Sequence, residues 1–260
     1  MKILFIGDIV GRTGRQMVGR SLPRLIDHHR IDLVIANGEN AAAGFGLTRD
    51  VVGELLDLGI DVLTTGNHAW DKKDGLVCFD QEPALLRPAN YPPGAPGKGY
   101  GVYQTAASRS VAVINLEGRV FMGALDCPFR KADEILERVG SGHSAVVVDF
   151  HAETTSEKGA LGTYLDGRVS AVLGTHTHVQ TADERVLPGG TAFISDVGMT
   201  GSRDSVIGIR KDQSVQRFLS QMPIKYEVAK GEPMLCGVII EIEEATGVAR
   251  RIERVMELGS

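Results

Sequence analysis

The chain contains 260 residues, 43% of them hydrophobic, which is enough for a packed core in one large domain or two small ones; we expect a single domain over residues 1–260. The net charge of -5 argues against broad contact with duplex nucleic acid, although a metal site could still attract a small anionic phosphate. Three scattered cysteines without C-x-x-C spacing exclude a disulfide framework and a cysteine-rich zinc site, and they fit a reducing cytoplasm. No apolar run approaches membrane-spanning length, so we predict a cytoplasmic protein with no membrane partner.

The first part of the chain alternates short apolar runs with helical patterns. Residues 3–6 predict a strand, residues 12–29 show the apolar spacing of a helix, and a second strand is expected from residue 31. The run Thr48-Arg49-Asp50 offers an N-cap for a helix that Gly59 ends, before a third strand. This alternation predicts an α/β fold with a parallel sheet.

A proline-rich segment over residues 81–98 interrupts the alternation. We interpret it as a crossover inside one domain, because strands are predicted again at residues 100–105 and 110–116. Further helices are predicted at residues 132–139 and 156–165, and further strands at residues 145–148, 169–173 and 191–194. The tail predicts a hairpin of strands 234–243 and 248–256 at an antiparallel edge of a sheet.

Polar clusters follow five of the apolar runs. At the carboxyl ends of strands in an open α/β sheet, residues far apart in sequence converge on one site. The candidate site residues are Asp8, Glu39, Asn40, Asn67, His68, His151, His176 and His178. Carboxylates, amides and imidazoles form a mixed oxygen and nitrogen donor set that suits Mn, Fe or Zn. The sequence therefore predicts a two-metal hydrolase in which Glu39 bridges the metals.

No single cluster carries this prediction. Asp8 could be a helix cap. Gly-Asn-His at residues 66–68 could be a tight turn, and His-Thr-His at residues 176–178 could be a polar loop. The joint order of the clusters outweighs these alternatives, because each of them follows a predicted strand.

Several clusters resemble the ordered motifs of the calcineurin-like metallophosphoesterases: Asp8, Gly66-Asn67-His68, His151 and Gly174-Thr175-His176-Thr177-His178. Three longer runs resemble the bacterial YmdB-like branch, which is associated with 2',3'-cyclic-nucleotide 2'-phosphodiesterase activity: Gly7-Asp8-Ile9-Val10-Gly11, Asn37-Gly38-Glu39-Asn40 and Asp149-Phe150-His151-Ala152-Glu153. The resemblance spans most of the chain and implies a four-layer αββα sandwich of two mixed β-sheets flanked by helices. Val10 and Glu39 stand where the wider superfamily usually has a histidine and an aspartate.

The resemblance also implies roles for the candidate residues. The first metal would be held by Asp8, Glu39, Asn40 and His178, and the second by Glu39, Asn67, His151 and His176; motif position alone would also allow His176 and His178 to be exchanged. A metal-bound hydroxide would attack phosphorus, and His68 would donate a proton to the leaving oxygen. The implied reaction opens a 2',3'-cyclic nucleotide to a 3'-phosphate. Fe and Mn are the expected metals, and a homo-oligomer is compatible with the resemblance.

Two other functions would use the same residues. A phosphomonoesterase or a nuclease would differ mainly in the groups that line the pocket, which the motifs do not define. A nucleotide-sensing regulatory or RNA-associated protein would keep the metals but turn over slowly. Substrate profiling separates the enzymes, and variants at Glu39 or His68 that lose turnover but keep the cellular effect would favour the sensor.

Overall fold

The computed structural model describes residues 1–259, which form two β-sheets between outer layers of helices. The strands are β1 (Lys2–Ile6), β2 (Asp8–Ile9), β3 (Leu33–Asn37), β4 (Val62–Thr64), β5 (Tyr100–Gln104), β6 (Ser110–Glu117), β7 (Ala145–His151), β8 (Ala171–Thr175), β9 (Arg185–Val186), β10 (Ala192–Ile194), β11 (Met199–Ser202), β12 (Pro233–Ile242) and β13 (Ala249–Leu258). The helices are α1 (Gly11–His29), α2 (Arg49–Asp57), α3 (Leu76–Gln81), α4 (Pro128–Val139), α5 (Thr155–Leu165) and α6 (Lys211–Ser220).

Both sheets are mixed. The seven-stranded sheet has the order β2-β11-β12-β1-β3-β4, with β13 paired to β12, and its strands β1, β3 and β4 run parallel. The six-stranded sheet has the order β5-β6-β7-β8-β10-β9, and its four central strands run parallel. The parallel cores of both sheets contain the strands that the predicted site residues follow.

Three apolar clusters separate the four layers. Side chains alternate across a strand, so in β1 Ile3 and Phe5 pack between the two sheets, whereas Leu4 and Ile6 pack beneath helix α1. In β7, Val147 packs between the sheets, and the neighbouring side chain of Val148 packs beneath α4 and α5. The predicted four-layer sandwich is therefore confirmed.

Local signals place several element ends where the sequence predicts them. The side chain of Thr48 accepts a hydrogen bond from the backbone N–H of Val51 at 3.4 Å, as an N-cap does. Gly59 follows α2 with a φ of 101°, a left-handed backbone conformation that glycine adopts without a steric cost. The proline-rich segment contains no helix or strand between Glu82 and Gly99, as expected for a crossover.

The structure corrects three details of the prediction. Helix α4 begins at Pro128 rather than at residue 132, because proline is well suited to the first helical position. The C-terminal hairpin is present, but only β13 lies at an edge: Glu241 of β12 pairs with Lys2 on one side and with Arg251 on the other. Helices α3 and α6 were not predicted. Within residues 1–259, no helix is both long and apolar enough to span a membrane.

Candidate metal centre

Six of the candidate residues contact one another at the carboxyl ends of strands from both sheets. They are Asp8, Glu39, Asn67, His151, His176 and His178. Asp8 begins β2, and Glu39 and Asn67 follow β3 and β4, all in the seven-stranded sheet. His151 ends β7, and His176 and His178 follow β8, in the six-stranded sheet. Asn40 lies beside Glu39, and its backbone carbonyl accepts a hydrogen bond from Gly11 at 2.9 Å, close to Asp8 in the chain.

The imidazole of His151 lies at the centre of the cluster. Its Nε2 atom is 3.0 Å from Glu39 Oε1, 3.0 Å from Asn67 Oδ1 and 3.0 Å from His176 Nδ1. Ligand atoms of Glu39, His151 and His176 all lie within 4.8 Å of one another. One proton on Nε2 cannot serve three acceptors at once, so this crowding of lone pairs is typical of atoms that surround a cation.

Two buried oxygens near this cluster lack hydrogen-bond partners. Asp8 Oδ1 and Asn40 Oδ1 are enclosed by the protein, and Asp8 Oδ1 is 3.8 Å from His178 Nε2. Burying an unpaired carboxylate oxygen is costly unless a cation neutralises it. The donor set therefore fits divalent cations. Asn67 and His176 both contact His151 Nε2, and Asp8 Oδ1 lies 3.8 Å from His178 Nε2 and 3.8 Å from His151 Nδ1.

The electrostatics of the cluster favour the ligand forms of Glu39 and His176. Burial alone would raise the pKa of Glu39, but the charge and hydrogen bond of His151, together with His68 and His176, lower that pKa to about 2. Burial and the neighbouring charge of His151 lower the pKa of His176 to about 3. Near neutral pH, Glu39 is therefore an anion and His176 a neutral imidazole, which are the states in which these side chains bind metals. Burial alone would lower the pKa of His151, but the carboxylates of Glu39, Asp8 and Asp149 raise that pKa to about 9, so metal binding by His151 would release a proton.

Each of the three histidines uses one ring nitrogen to contact a neighbouring residue. His151 Nδ1 is 2.9 Å from Thr175 Oγ1, His176 Nε2 is 3.1 Å from Glu153 Oε2, and His178 Nδ1 donates to the carbonyl of Ile207 at 2.8 Å. These contacts fix the ring orientation and leave the other nitrogen directed into the cluster. Partners of this kind are common around metal-binding histidines.

Asp149 connects the two sheets directly beneath the cluster. Its carboxylate accepts hydrogen bonds from Thr64 Oγ1 at 2.5 Å, Thr175 Oγ1 at 2.7 Å and Asn37 Nδ2 at 3.0 Å. Thr175 also contacts His151, so Asp149 supports that imidazole through one intermediate side chain. The sequence motifs contain Asn37 and Asp149, but sequence reasoning gave them no role. Both are polar residues inside otherwise apolar strands, and this was the sequence signal that could have indicated a role for them.

His68 lies at the edge of the cluster and contacts a different set of groups. Its Nδ1 atom is 2.8 Å from Asp71 Oδ2, and its ring meets the ring of Phe45 edge-on with centroids 5.0 Å apart. Its backbone N–H donates to Glu39 Oε2 at 3.3 Å. The ring is thus placed beside the cluster without joining it. Asp71 was missed by sequence reasoning, although its position three residues after His68 in a turn allows this contact.

Comparison with known proteins agrees with the fold and the motifs. A sequence model of the YmdB-like protein family matches residues 4–255. The chain is 50% identical over 256 residues to the 2',3'-cyclic-nucleotide 2'-phosphodiesterase of Bacillus subtilis (strain 168), covering 98% of this chain and 97% of that protein. A crystal structure of a hypothetical protein from Thermus thermophilus matches with a TM-score of 0.94 and 43% identity, covering 100% of both chains.

A second solved structure extends the comparison. The crystal structure of a phosphatase from Mycoplasma pneumoniae matches with a TM-score of 0.92 and 34% identity, covering 99% of this chain and 93% of that one. Both the family match and these relatives span almost the whole length of the chain. The chain therefore belongs to the YmdB-like protein family.

Proposed function

We propose that this protein is a dinuclear-metal-dependent phosphodiesterase that opens 2',3'-cyclic nucleotides to 3'-phosphates. The observation that carries the proposal is the convergence of Glu39, His151 and His176 beside the buried, unpartnered oxygens of Asp8 and Asn40. The name of the Bacillus subtilis relative supports the reaction and the bond that is broken. The chemistry of the donor set supports the requirement for metals.

In this proposal, one cation is held by Asp8, Glu39, Asn40 and His178, and the other by Glu39, Asn67, His151 and His176. When bound, the two cations would activate the attacking water and offset charge on the phosphoryl oxygens. The donor set itself would accept Fe, Mn or Zn, and the family resemblance is the reason that we propose Fe and Mn.

The types of the proposed ligand residues determine the net charge of the site. Asp8 and Glu39 are the only carboxylates among the proposed ligands, and the two asparagines contribute neutral oxygens. A cage with few negative charges leaves the bound cations a net positive charge, which favours entry of an anionic phosphodiester. The substrate that we propose is correspondingly a small cyclic phosphodiester, and duplex nucleic acid is not expected as a partner.

His68 is the proton donor in the proposed reaction. As the water oxygen bonds to phosphorus, the bond between phosphorus and the 2' oxygen breaks, and His68 Nε2 donates a proton to that oxygen. Asp71 accepts the hydrogen bond from Nδ1, so His68 enters this step as an imidazolium, and its second proton, on Nε2, is the one donated to the leaving group. The product carries a free 2' hydroxyl and a 3' phosphate.

We further propose that residues 1–260 work as one domain in the cytoplasm. The two sheets share the inter-sheet apolar cluster and both contribute side chains to the site, which supports one domain. A homo-oligomer is compatible with the proposal, which requires no second copy.

The experiment that tests this function is hydrolysis of 2',3'-cyclic AMP by protein of measured metal content, with added Mn²⁺. Chromatography would separate 3'-AMP, 2'-AMP and adenosine. We expect metal-dependent formation of 3'-AMP. Accumulation of adenosine would indicate a phosphomonoesterase, and no turnover by protein that has bound its metals would favour another phosphodiester or a sensor.

The Glu39→Gln variant provides the control for this experiment. The loss of the bridging carboxylate should lower metal occupancy and activity together, by more than roughly 100-fold in activity, since even the partners of metal ligands contribute 10–100-fold. A Glu39→Gln protein that held its full metal content and turned over normally would contradict the assignment of Glu39.

A further inference from the structure

A buried ion pair lies beneath the loop that carries His176 and His178. Lys158 Nζ on α5 is 2.8 Å from Asp196 Oδ2, and the two side chains are 1% and 2% exposed. The lysine stem passes beside Gly174, at the end of β8. Burying two charges carries a desolvation cost that their attraction often fails to offset, so such a pair is weak evidence for stability alone.

Two of the hydrogen bonds to the Asp196 carboxylate come from Thr177, the residue between the two histidines. Asp196 Oδ2 accepts hydrogen bonds from the backbone N–H of Thr177 at 3.0 Å and from its hydroxyl at 2.7 Å. The second oxygen, Oδ1, accepts from the backbone N–H of Gly198 at 2.8 Å. With three donors on Oδ2, Asp196 is occupied by the chain, and this oxygen is not available as a metal ligand.

The loop needs support, because both of its histidines have unfavourable backbone conformations. His176 has a φ of 98° and His178 a φ of 68°, values that residues with a side chain rarely adopt. Such conformations persist only where the surrounding structure holds them, and they concentrate at functional sites. Thr177 lies between the two strained residues, so hydrogen bonds that hold Thr177 in place also hold the direction of both imidazoles.

We propose that Lys158 and Asp196 are positioning residues that hold the loop of residues 176–178 in the geometry required for metal binding. Asp196 holds Thr177 through its backbone and its hydroxyl, and Lys158 neutralises Asp196 and fixes its carboxylate. The inference rests on the metal site of the proposed function. Neither residue touches the substrate or the reacting atoms in this scheme.

The alternative is that the pair only packs α5 against the six-stranded sheet. Two variants separate the roles. Lys158→Met removes the ammonium group but keeps the apolar stem, and Thr177→Val removes the hydroxyl donor without altering α5. The matched control is Arg168→Met, which breaks the exposed ion pair between Arg168 and Asp133, 2.6 Å long, outside the site.

The measurement is Mn²⁺ affinity of the metal-free proteins by isothermal titration calorimetry, with thermal unfolding of the same metal-free proteins. We expect affinity to fall by about 10-fold to 100-fold in Lys158→Met, since partners of metal ligands typically contribute that much. In Thr177→Val affinity should also fall, with a melting temperature close to that of the parent protein. Arg168→Met should bind Mn²⁺ like the parent.

The outcomes separate this inference from the proposed function. Tight Mn²⁺ binding by the parent protein and unchanged affinity in both Lys158→Met and Thr177→Val would overturn the inference and leave the metal site intact. No Mn²⁺ binding by the parent would overturn the metal site and the inference together. If Lys158→Met does not fold, the affinity of Thr177→Val decides, because that residue lies outside the packing of α5.

Discussion

His68 differs from the three proposed metal-binding histidines in what its ring touches. Those three rings contact Thr175, Glu153 and the carbonyl of Ile207, and their other nitrogens face the cluster. The His68 ring contacts Asp71 and Phe45 instead, and no proposed ligand. A ring that lies beside the cluster without contacting its ligand atoms suits proton donation to a substrate better than metal binding.

We therefore predict that His68→Ala keeps its metals but loses turnover. Removal of a general acid typically costs 10²–10⁴-fold, so kcat should fall by about that factor, and KM should change little. Steady-state kinetics on 2',3'-cyclic AMP, with metal analysis of the same samples, would measure both quantities. A variant that lost its metals would instead make His68 a ligand.

A substitution at Asp71 tests the same role of His68 with a smaller expected loss of turnover. Asp71→Ala removes the partner of His68 Nδ1, so kcat should fall by about 10-fold or more, but less than in His68→Ala. Asp74→Ala is the matched control, because Asp74 is a nearby aspartate whose side chain accepts a hydrogen bond from the backbone of Arg49, at 3.4 Å, and not from His68. Equal losses in the two aspartate variants would argue against a specific role for Asp71.

The ligand candidates could be predicted from sequence because each follows an apolar run in a recognisable order. The residues that support these candidates could not be predicted from sequence. The contact of Asp149 with Thr64 depends on the approach of β4 to β7 across the two sheets, and the contact of Lys158 with Asp196 depends on where α5 lies. Sequence patterns define which residues end a strand, whereas these pairings arise only from the packing of separate elements.

At the scale of elements, the site requires a very close approach of the segment after β4 to the end of β7. Gly66 lies at this point. A methyl group added there would overlap the imidazole of His151 and the carboxylate of Glu39. The φ of Gly66 is not positive, so its backbone conformation does not require glycine. Glycine is required there because its neighbours leave no room for a side chain.

We predict that Gly66→Ala abolishes tight metal binding while the protein remains folded. The added methyl must displace His151 or Glu39, and a shift of either ligand disrupts the cluster. Mn²⁺ titration and circular dichroism of the variant would measure the two effects. Gly53→Ala is the control: it lies in α2 with no atom within 4 Å of an added methyl, and alanine should stabilise that helix by roughly 0.5–1 kcal/mol. Normal metal affinity in Gly66→Ala would contradict the close approach.

Helix α6 and strand β12 were placed poorly by sequence reasoning, for two different reasons. Helix α6 buries only Ser214, and its large apolar side chains are exposed, so no apolar face directed to a core marks it. The position of β12 inside its sheet was also unpredictable from its own pattern. Pairing with β1 joins the two ends of the chain, and local sequence carries little information about such distant contacts.

At the scale of the whole molecule, the candidate metal centre joins the two sheets. Asp8, Glu39 and Asn67 come from the seven-stranded sheet, and the three histidines come from the six-stranded sheet. The sheets are also joined by an apolar cluster that includes Phe5, Val147 and Leu173, all fully buried. Because this core is independent of the site, metals should add to the stability of the fold without being required for it.

Removal of metals by a chelator should therefore lower the melting temperature but leave the protein folded at 25 °C. At a free metal concentration of about 100 times Kd, each of the two proposed sites contributes roughly 2.7 kcal/mol, or about 5.4 kcal/mol together. A protein of about this size shifts by roughly 2–4 °C per kcal/mol, so the expected decrease is about 11–22 °C. Differential scanning calorimetry before and after treatment with EDTA, and again after addition of Mn²⁺, would measure it. In Glu39→Gln the decrease should be much smaller, because the variant has little metal to lose. Unfolding of the parent protein at 25 °C after chelation would show that the inter-sheet core is insufficient and that the metals hold the two sheets together.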